Sequence, residues 1–510
     1  MIFRAVLISS FLLTAGCLAT VNSTVRSFAP VGLTDDTPVL AQINKQYRPP
    51  MFSIGADFDR HRNQSSGLGL VSHAQLEDYM NEELERLKTS SGVEGLPGRA
   101  YLFADTSFGA RASADGNIYV PISVVLDLES TDELSALLAH ELAHTIRGHS
   151  SSELFVAAQK KALLMSSMFA DIRKSDAGVI RSSDMKTFEH VMGSLMVADG
   201  FINPGWTRLQ EEEADKLGMD LLIASGRNPD AMFALLEKME RWEEANRQQQ
   251  DDRDALMEKA LGSLIQVEGK TELDNIVNGY LNQGATKLGA YLDGFNKDHE
   301  TATTRYETLL AYTDRHYADT PAPAMETQRW NAIGRGPYSR TLQRSLELTD
   351  EARMALAQGD MQQAERLIKS AVTAETSTQN FVRQTFFELR ETQGKSDSMK
   401  QNLKIGLDGT YPSLFLHIQA IQFKLHNGEE VNAADAAQLL AVFDAYGRPG
   451  EYYNQVLPVL ISAGMDGQAT LMLAECAIKY AGDGISCGEK SAEKAQANDF
   501  SYGNFMKSLM

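Results

Sequence analysis

The pattern of apolar and polar positions divides the chain into several regimes. A short apolar run, Ala5 to Leu13, comes first. A polar stretch with Pro38, Pro49 and Pro50 follows, and it predicts a tether with little structure. From about Gly69 the spacing becomes helical, and "HAQLEDYMNEELERLKTS" sets its apolar residues on one face. The next stretch, "GRAYLFADTSFGARASADGNIYVPISVVLDLES", reads as short strands broken by Gly and Asp-Gly. Within it, "NIYVPISVV" is expected at a sheet edge, because Pro121 has no N–H to give to a sheet centre.

Helical spacing then returns. Ser130 and Glu133 form a capping-box pattern ahead of Leu134, Leu137, Leu138 and Leu142, and Gly148 is placed to end the helix. A second amphipathic helix is predicted in "WTRLQEEEADKLGMDLLIASG". Two long stretches, Ser150 to Asn203 and Asn246 to Lys297, read as helix-rich insertions whose Met and Leu stripes suit a core and whose position suits lids. "TPAPAMETQRWNAIGRGPYSR" is a Pro/Gly-rich boundary. Beyond it the chain is nearly all helical. Gly359, Ala364, Ile368 and Ala371 have the spacing of a tetratricopeptide repeat, and later helices keep the pairing without that consensus. The expected fold is mainly α with a small β-sheet in an α+β domain, followed by an all-α, repeat-like region.

Composition adds bounds. The 510 residues leave room for two or three domains, and 43% hydrophobic content suits a sizeable core. A formal charge of −20 with no basic stripe argues against nucleic acid as a partner. Arg4, the apolar run and Thr14-Ala15-Gly16-Cys17 resemble a bacterial lipoprotein signal, with Cys17 as the acylated first residue of the mature chain; the alternatives are ordinary signal cleavage or an uncleaved short anchor. Leu18 after the cysteine fits outer-membrane sorting by resemblance, with the protein facing the periplasm. Of the remaining cysteines, Cys476 and Cys487 are either a disulfide in an oxidising compartment or two free thiols. The expected divisions are 1–16 signal peptide, 17–65 tether, 66–320 α+β domain, 321–344 linker and 345–510 helical region.

The densest chemistry lies in "LLAHELAHTIRGH". His140 and His144 are four apart, so a helix brings both imidazoles to one metal. Glu141 can reach a water there and take its proton. His149 is a poor third ligand. The pattern that uses a third histidine needs Gly seven and His ten positions after the first, where this chain has Arg147 and Ser150. On an unbroken helix at about 100° per residue, His149 points half a turn from His140. It reads as a structural or surface histidine.

The better third ligand is Glu211. With Glu211 at zero, Ala214, Leu217, Leu221 and Leu222 fall at about 300°, 240°, 280° and 20°. Glu211 thus lies inside the buried arc, Glu213 at its edge and Glu212 on the opposite side. Asp215, one turn on, can accept the free N–H of a ligand histidine and fix its tautomer. Gly218 would admit a neighbouring helix closely. Two histidines and one glutamate leave a zinc position for water, which is a catalytic set.

These motifs resemble the HtpX-like and BepA-like zinc metallopeptidases, related to the CAAX prenyl proteases. The resemblance covers roughly Gly69 to Asp314 and rests on "DELSALLAHELAHTIRGH", "TRLQEEEADKLG" and "HETATTRYETL". It implies a gluzincin endopeptidase holding one zinc per chain through His140, His144 and Glu211, with Glu141 as base. It also implies that His299 and Arg305 face the reacting carbonyl, or that His299 closes the fourth zinc position at rest. Glu300 stands where the family has proline. Substrate would add as an antiparallel strand to the edge strand. Misfolded or stalled envelope polypeptides are the implied substrates, and the outer-membrane assembly machinery is a candidate partner. The alternative is a chaperone or assembly scaffold whose helical region binds clients, with cleavage incidental.

Overall fold

A computed structural model describes residues 34, 36–49, 53–149 (less 66, 107 and 108), 208–242, 244–245, 248 and 302–479. The signal, Cys17, most of both expected lid segments, His299, Glu300 and Cys487 lie outside the described residues. The architecture is mainly helical around one small mixed sheet, with a further series of helices toward the C-terminus. Among the described residues no helix is long and apolar enough to cross a membrane.

Helix α1 (Ala56–Gln64) precedes strand β1 (Leu70–Val71) and helix α2 (Ala74–Ser91). Strands β2 (Ala100–Phe103), β3 (Arg111–Ala112) and β4 (Ile118–Pro121) complete a sheet of order β1-β2-β4-β3. β2 and β4 run parallel, Ala100 opposite Ile118 and Phe103 opposite Pro121, while β3 is antiparallel to β4. β4 is therefore an inner strand, and β3 is the edge, contrary to the expectation from Pro121. The proline is tolerated because it is the last residue of the strand. At φ −59° and ψ 142° it then caps helix α3 (Ile122–Asp127), so the apolar run divides between strand and helix.

Helix α4 (Thr131–Arg147) starts where Ser130 Oγ accepts from the Glu133 N–H at 3.1 Å. Glu133 returns its carboxylate to the N–H of Glu129, one residue earlier than in a capping box. Gly148 ends the helix in the left-handed conformation, φ 69°. Helix α5 (Arg208–Ala224) packs along α4, and helix α6 (Ala302–Tyr317) packs on α5. The approach depends on Gly218: a Cβ there would lie 3.2 Å from the His140 backbone and 2.9 Å from Met232 Cε.

Two expected boundaries are absent as such. Within the supposed tether, the Val39 N–H bonds Tyr312 Oη at 2.9 Å and the Leu40 N–H bonds Asp220 at 2.8 Å. In the same stretch, Asp59 of α1 is buried against Asn117 and Tyr119. Within the supposed linker, helix α7 (Gln328–Ile333) buries Trp330 fully, and its indole N–H reaches the Leu128 carbonyl at 2.8 Å. A Pro/Gly-rich composition marked turns there, but the backbone, Trp330 and Tyr338, whose hydroxyl donates to the Ser72 carbonyl, tie them down.

Helices α8 (Pro337–Ala357) and α9 (Met361–Ala371) form a hairpin through Gly359, φ 79°, with Asp360 capping α9. Ala364, Ile368 and Ala371 are its buried contacts. One apolar core runs from Val39 through the sheet and α4 to Leu389 in α10 (Asn380–Thr392). The first C-terminal helices therefore share a core with the sheet domain. Helices α11 (Ser396–Leu407), α12 (Leu414–His426), α13 (Ala433–Ala445), α14 (Tyr453–Ser462) and α15 (Asp466–Lys479) follow. A second core occupies Leu414 to Cys476. Cys476 is buried and disulfide-bonded.

Candidate active site

α4 presents His140 and His144 one turn apart, with their Nε2 atoms 3.2 Å from each other and both rings buried. Glu211, in the first turn of α5, brings Oε2 to 3.6 Å from His140 Nε2 and Oε1 to 3.7 Å from His144 Nε2. The amino end of a helix favours a carboxylate at that position. The ligand atoms of these three residues all lie within 4.8 Å of one another. Two imidazole nitrogens and a carboxylate converging in a buried place fit a zinc-sized cation.

The carboxylate beside His140 is Asp215, with Oδ1 3.0 Å from Nδ1. Arg305, on α6, donates to Asp215 through Nε and Nη2, each at 2.8 Å. Its Nη2 also lies 3.0 Å from Glu211 Oε2. Burial alone would raise the Asp215 carboxyl, but Arg305 and His140 outweigh it and hold the group down to about 2. The structure thus turns Arg305 onto the acidic residues instead of toward a reacting carbonyl. His299, its expected companion, lies outside the described residues.

Glu141 is buried beside the edge strand and receives the N–H of Ala112 from β3. Burial, joined by the nearby Glu211 charge, pushes its carboxyl up to about 7 despite the opposing pull of His140. Its Oε2 has no hydrogen-bond partner among the described groups. A buried, unpartnered carboxylate oxygen beside three converging ligand atoms has the placement of a general base.

Of the two expectations, surface or structural, the structure excludes the surface one for His149. It is buried, its Nδ1 lies 2.9 Å from His144 Nδ1, and its Nε2 lies 3.2 Å from Glu213 Oε2. Arg147 Nε donates to the same Glu213 oxygen at 2.9 Å. Half a turn separates His149 from His140 only on an unbroken helix. Gly148 reverses the chain and returns His149 to the helix it has just left, and the glycine was the available signal. Glu212 pairs with Lys216 on the outer side of α5.

A buried HExxH helix joined to a glutamate helix defines a metallopeptidase architecture. Residues 74–306 match the profile of peptidase family M48. It is similar to the putative β-barrel assembly-enhancing protease of Vibrio cholerae, 26% identical over 167 residues, covering 32% of each chain. It is also similar to metalloprotease LoiP of Escherichia coli, 26% identical over 195 residues, 37% of this chain and 72% of that one. Mitochondrial metalloendopeptidase OMA1 of Schizosaccharomyces pombe is 25% identical over 163 residues, 32% of this chain and 43% of its own. The alignment thus spans 32% of the length of the Vibrio relative. The motif-based resemblance to this group of metallopeptidases is borne out.

Proposed function

We propose that the protein is a zinc endopeptidase that hydrolyses misfolded or stalled cell-envelope polypeptides. The observation that carries this reading is the convergence of His140, His144 and Glu211 beside the unpartnered oxygen of Glu141. His140, His144 and Glu211 would hold one zinc. Zinc in such a set supplies Lewis-acid polarisation and lowers the pKa of water.

The protein's own groups carry the proton. Glu141 takes one from water as the oxygen bonds to the peptide carbonyl carbon. It then passes that proton to the amide nitrogen as the C–N bond breaks. Asp215, fixed by Arg305, orients His140. An extended substrate would pair with β3, the edge strand, because main-chain pairing favours unfolded chains over particular sequences. His299 would either face the transition state or close the fourth zinc position.

The names of the β-barrel assembly-enhancing relatives support a role in β-barrel protein assembly. Anchoring through acylated Cys17 at the outer membrane, facing the periplasm, belongs to the same proposal. A single acyl chain binds only marginally, so a doubly or triply acylated cysteine is expected. Mass spectrometry of the mature N-terminus tests this, and an unmodified terminus elsewhere would overturn it. The domain scheme also stands as proposed, amended by the ordered contacts of Val39, Leu40 and Asp59 within residues 17–65 and by the core shared across residues 321–389.

A scaffold role for the helical region, with cleavage incidental, is the second reading. Stripping the full chain with a chelator should stop cleavage of an unfolded polypeptide, and added zinc should restore it. Cleavage that survives chelation would contradict the peptidase reading. Client assembly that survives chelation would favour the scaffold.

A further inference from the structure

His140 and His144 occupy equivalent positions on one helix turn, yet different groups meet their Nδ1 atoms. His140 has a carboxylate, Asp215, at 3.0 Å. His144 has another imidazole, His149, at 2.9 Å. Two imidazole nitrogens at that distance attract only when one proton lies between them. Two protons would repel, and none would oppose two lone pairs.

His144 Nε2 faces the ligand cluster and must keep its lone pair to bind metal. Its proton therefore sits on Nδ1 and is donated to His149. The proton of His149 is then on Nε2, directed at Glu213 Oε2. Arg147 supplies the counter-charge that keeps Glu213 an acceptor.

We infer that His149 and Glu213 are positioning residues that fix the tautomer and ring plane of His144 for zinc. The inference rests on the proposed zinc reading and extends it to groups that touch neither metal nor substrate. The Gly148 turn makes it possible, since only the reversal at φ 69° brings residue 149 back to residue 144. The relay also places a neutral acceptor on one ligand and an anionic one on the other. His144 thereby gains orientation without a second full charge directly against its ring. Buried acceptors of this kind are typically worth about 10–100-fold in metal affinity.

The test uses the full chain and two readouts, zinc affinity by chelator competition and thermal unfolding of the metal-free protein. His149→Leu keeps bulk and removes the acceptor, so zinc should bind about 10–100-fold more weakly. His149→Asn places an amide oxygen near the lost Nδ1 and should restore most of the affinity. Glu213→Ala leaves His149 in place but removes its acceptor, so a smaller loss is expected. Wild-type affinity in His149→Leu would overturn the inference and leave the zinc reading intact. Equal losses in the Leu and Asn variants, together with a lower metal-free midpoint, would mean that His149 only fills space. If His149→Leu does not fold, the Asn and Glu213→Ala variants decide: wild-type affinity in Glu213→Ala refutes the relay. A wild-type chain that binds no zinc would overturn both readings.

Discussion

Arg305 holds Asp215 through two parallel hydrogen bonds of 2.8 Å, and the same guanidinium reaches Glu211 at 3.0 Å. One cation from α6 thus fixes two acidic residues on α5, one of which belongs to the His140, His144 and Glu211 cluster. Replacing Arg305 by Met leaves two buried carboxylates without their partner. Breaking such a buried pair costs about 3–5 kcal/mol, far more than a surface pair would. Urea unfolding of the metal-free variant measures this. A loss below about 1 kcal/mol would show that the fork is dispensable.

The two neighbouring glutamates on α5 should behave oppositely. Glu211→Gln should release zinc readily, because a neutral amide is a poor ligand for a divalent cation. Glu212→Gln only removes an outer-side partner of Lys216 and should retain zinc. Metal analysis of the purified variants checks both, and equal retention would refute the ligand assignment.

Gly218→Ala tests the approach of α5 to α4. The added methyl would meet the His140 backbone at 3.2 Å and Met232 Cε at 2.9 Å. Overpacking of this kind costs about 1–3 kcal/mol, and it should also lower zinc affinity by shifting Glu211 away from the histidines. Unchanged stability and affinity would mean that the helices yield freely.

Asp220 accepts from Tyr312, Tyr317 and the Leu40 N–H, fastening the N-terminal segment to α5 and α6. Asp220→Ala should lower stability by about 1–3 kcal/mol by leaving donors unmet. Limited proteolysis should then cut within residues 38–47 sooner than in the wild type. An unchanged digestion pattern would indicate that this segment is held by other contacts.

Much of the site lay in local signals. Ser130, the leucine stripe and Gly148 delimit α4, and helical phase separates Glu211 from Glu212. Other features depended on contacts that local patterns do not carry. Pro121 marks a strand end as readily as an edge, and only pairing with β2 and β3 distinguishes them. The polar segment around Val39 is ordered by its backbone N–H groups, whose acceptors are about 180 and 270 residues away. Trp330 sits in a Pro/Gly-rich stretch whose turns were legible, whereas its burial against Leu128 was not. His149 was set aside because its helical angle was extended beyond the glycine that ends the helix.

The most direct measurement compares wild type and Glu141→Gln for zinc content and for cleavage of an unfolded, casein-like polypeptide. The amide fills the same space but cannot take a proton. The zinc-endopeptidase reading predicts equal zinc, an intact fold and lost cleavage. Near wild-type cleavage by Glu141→Gln would contradict it.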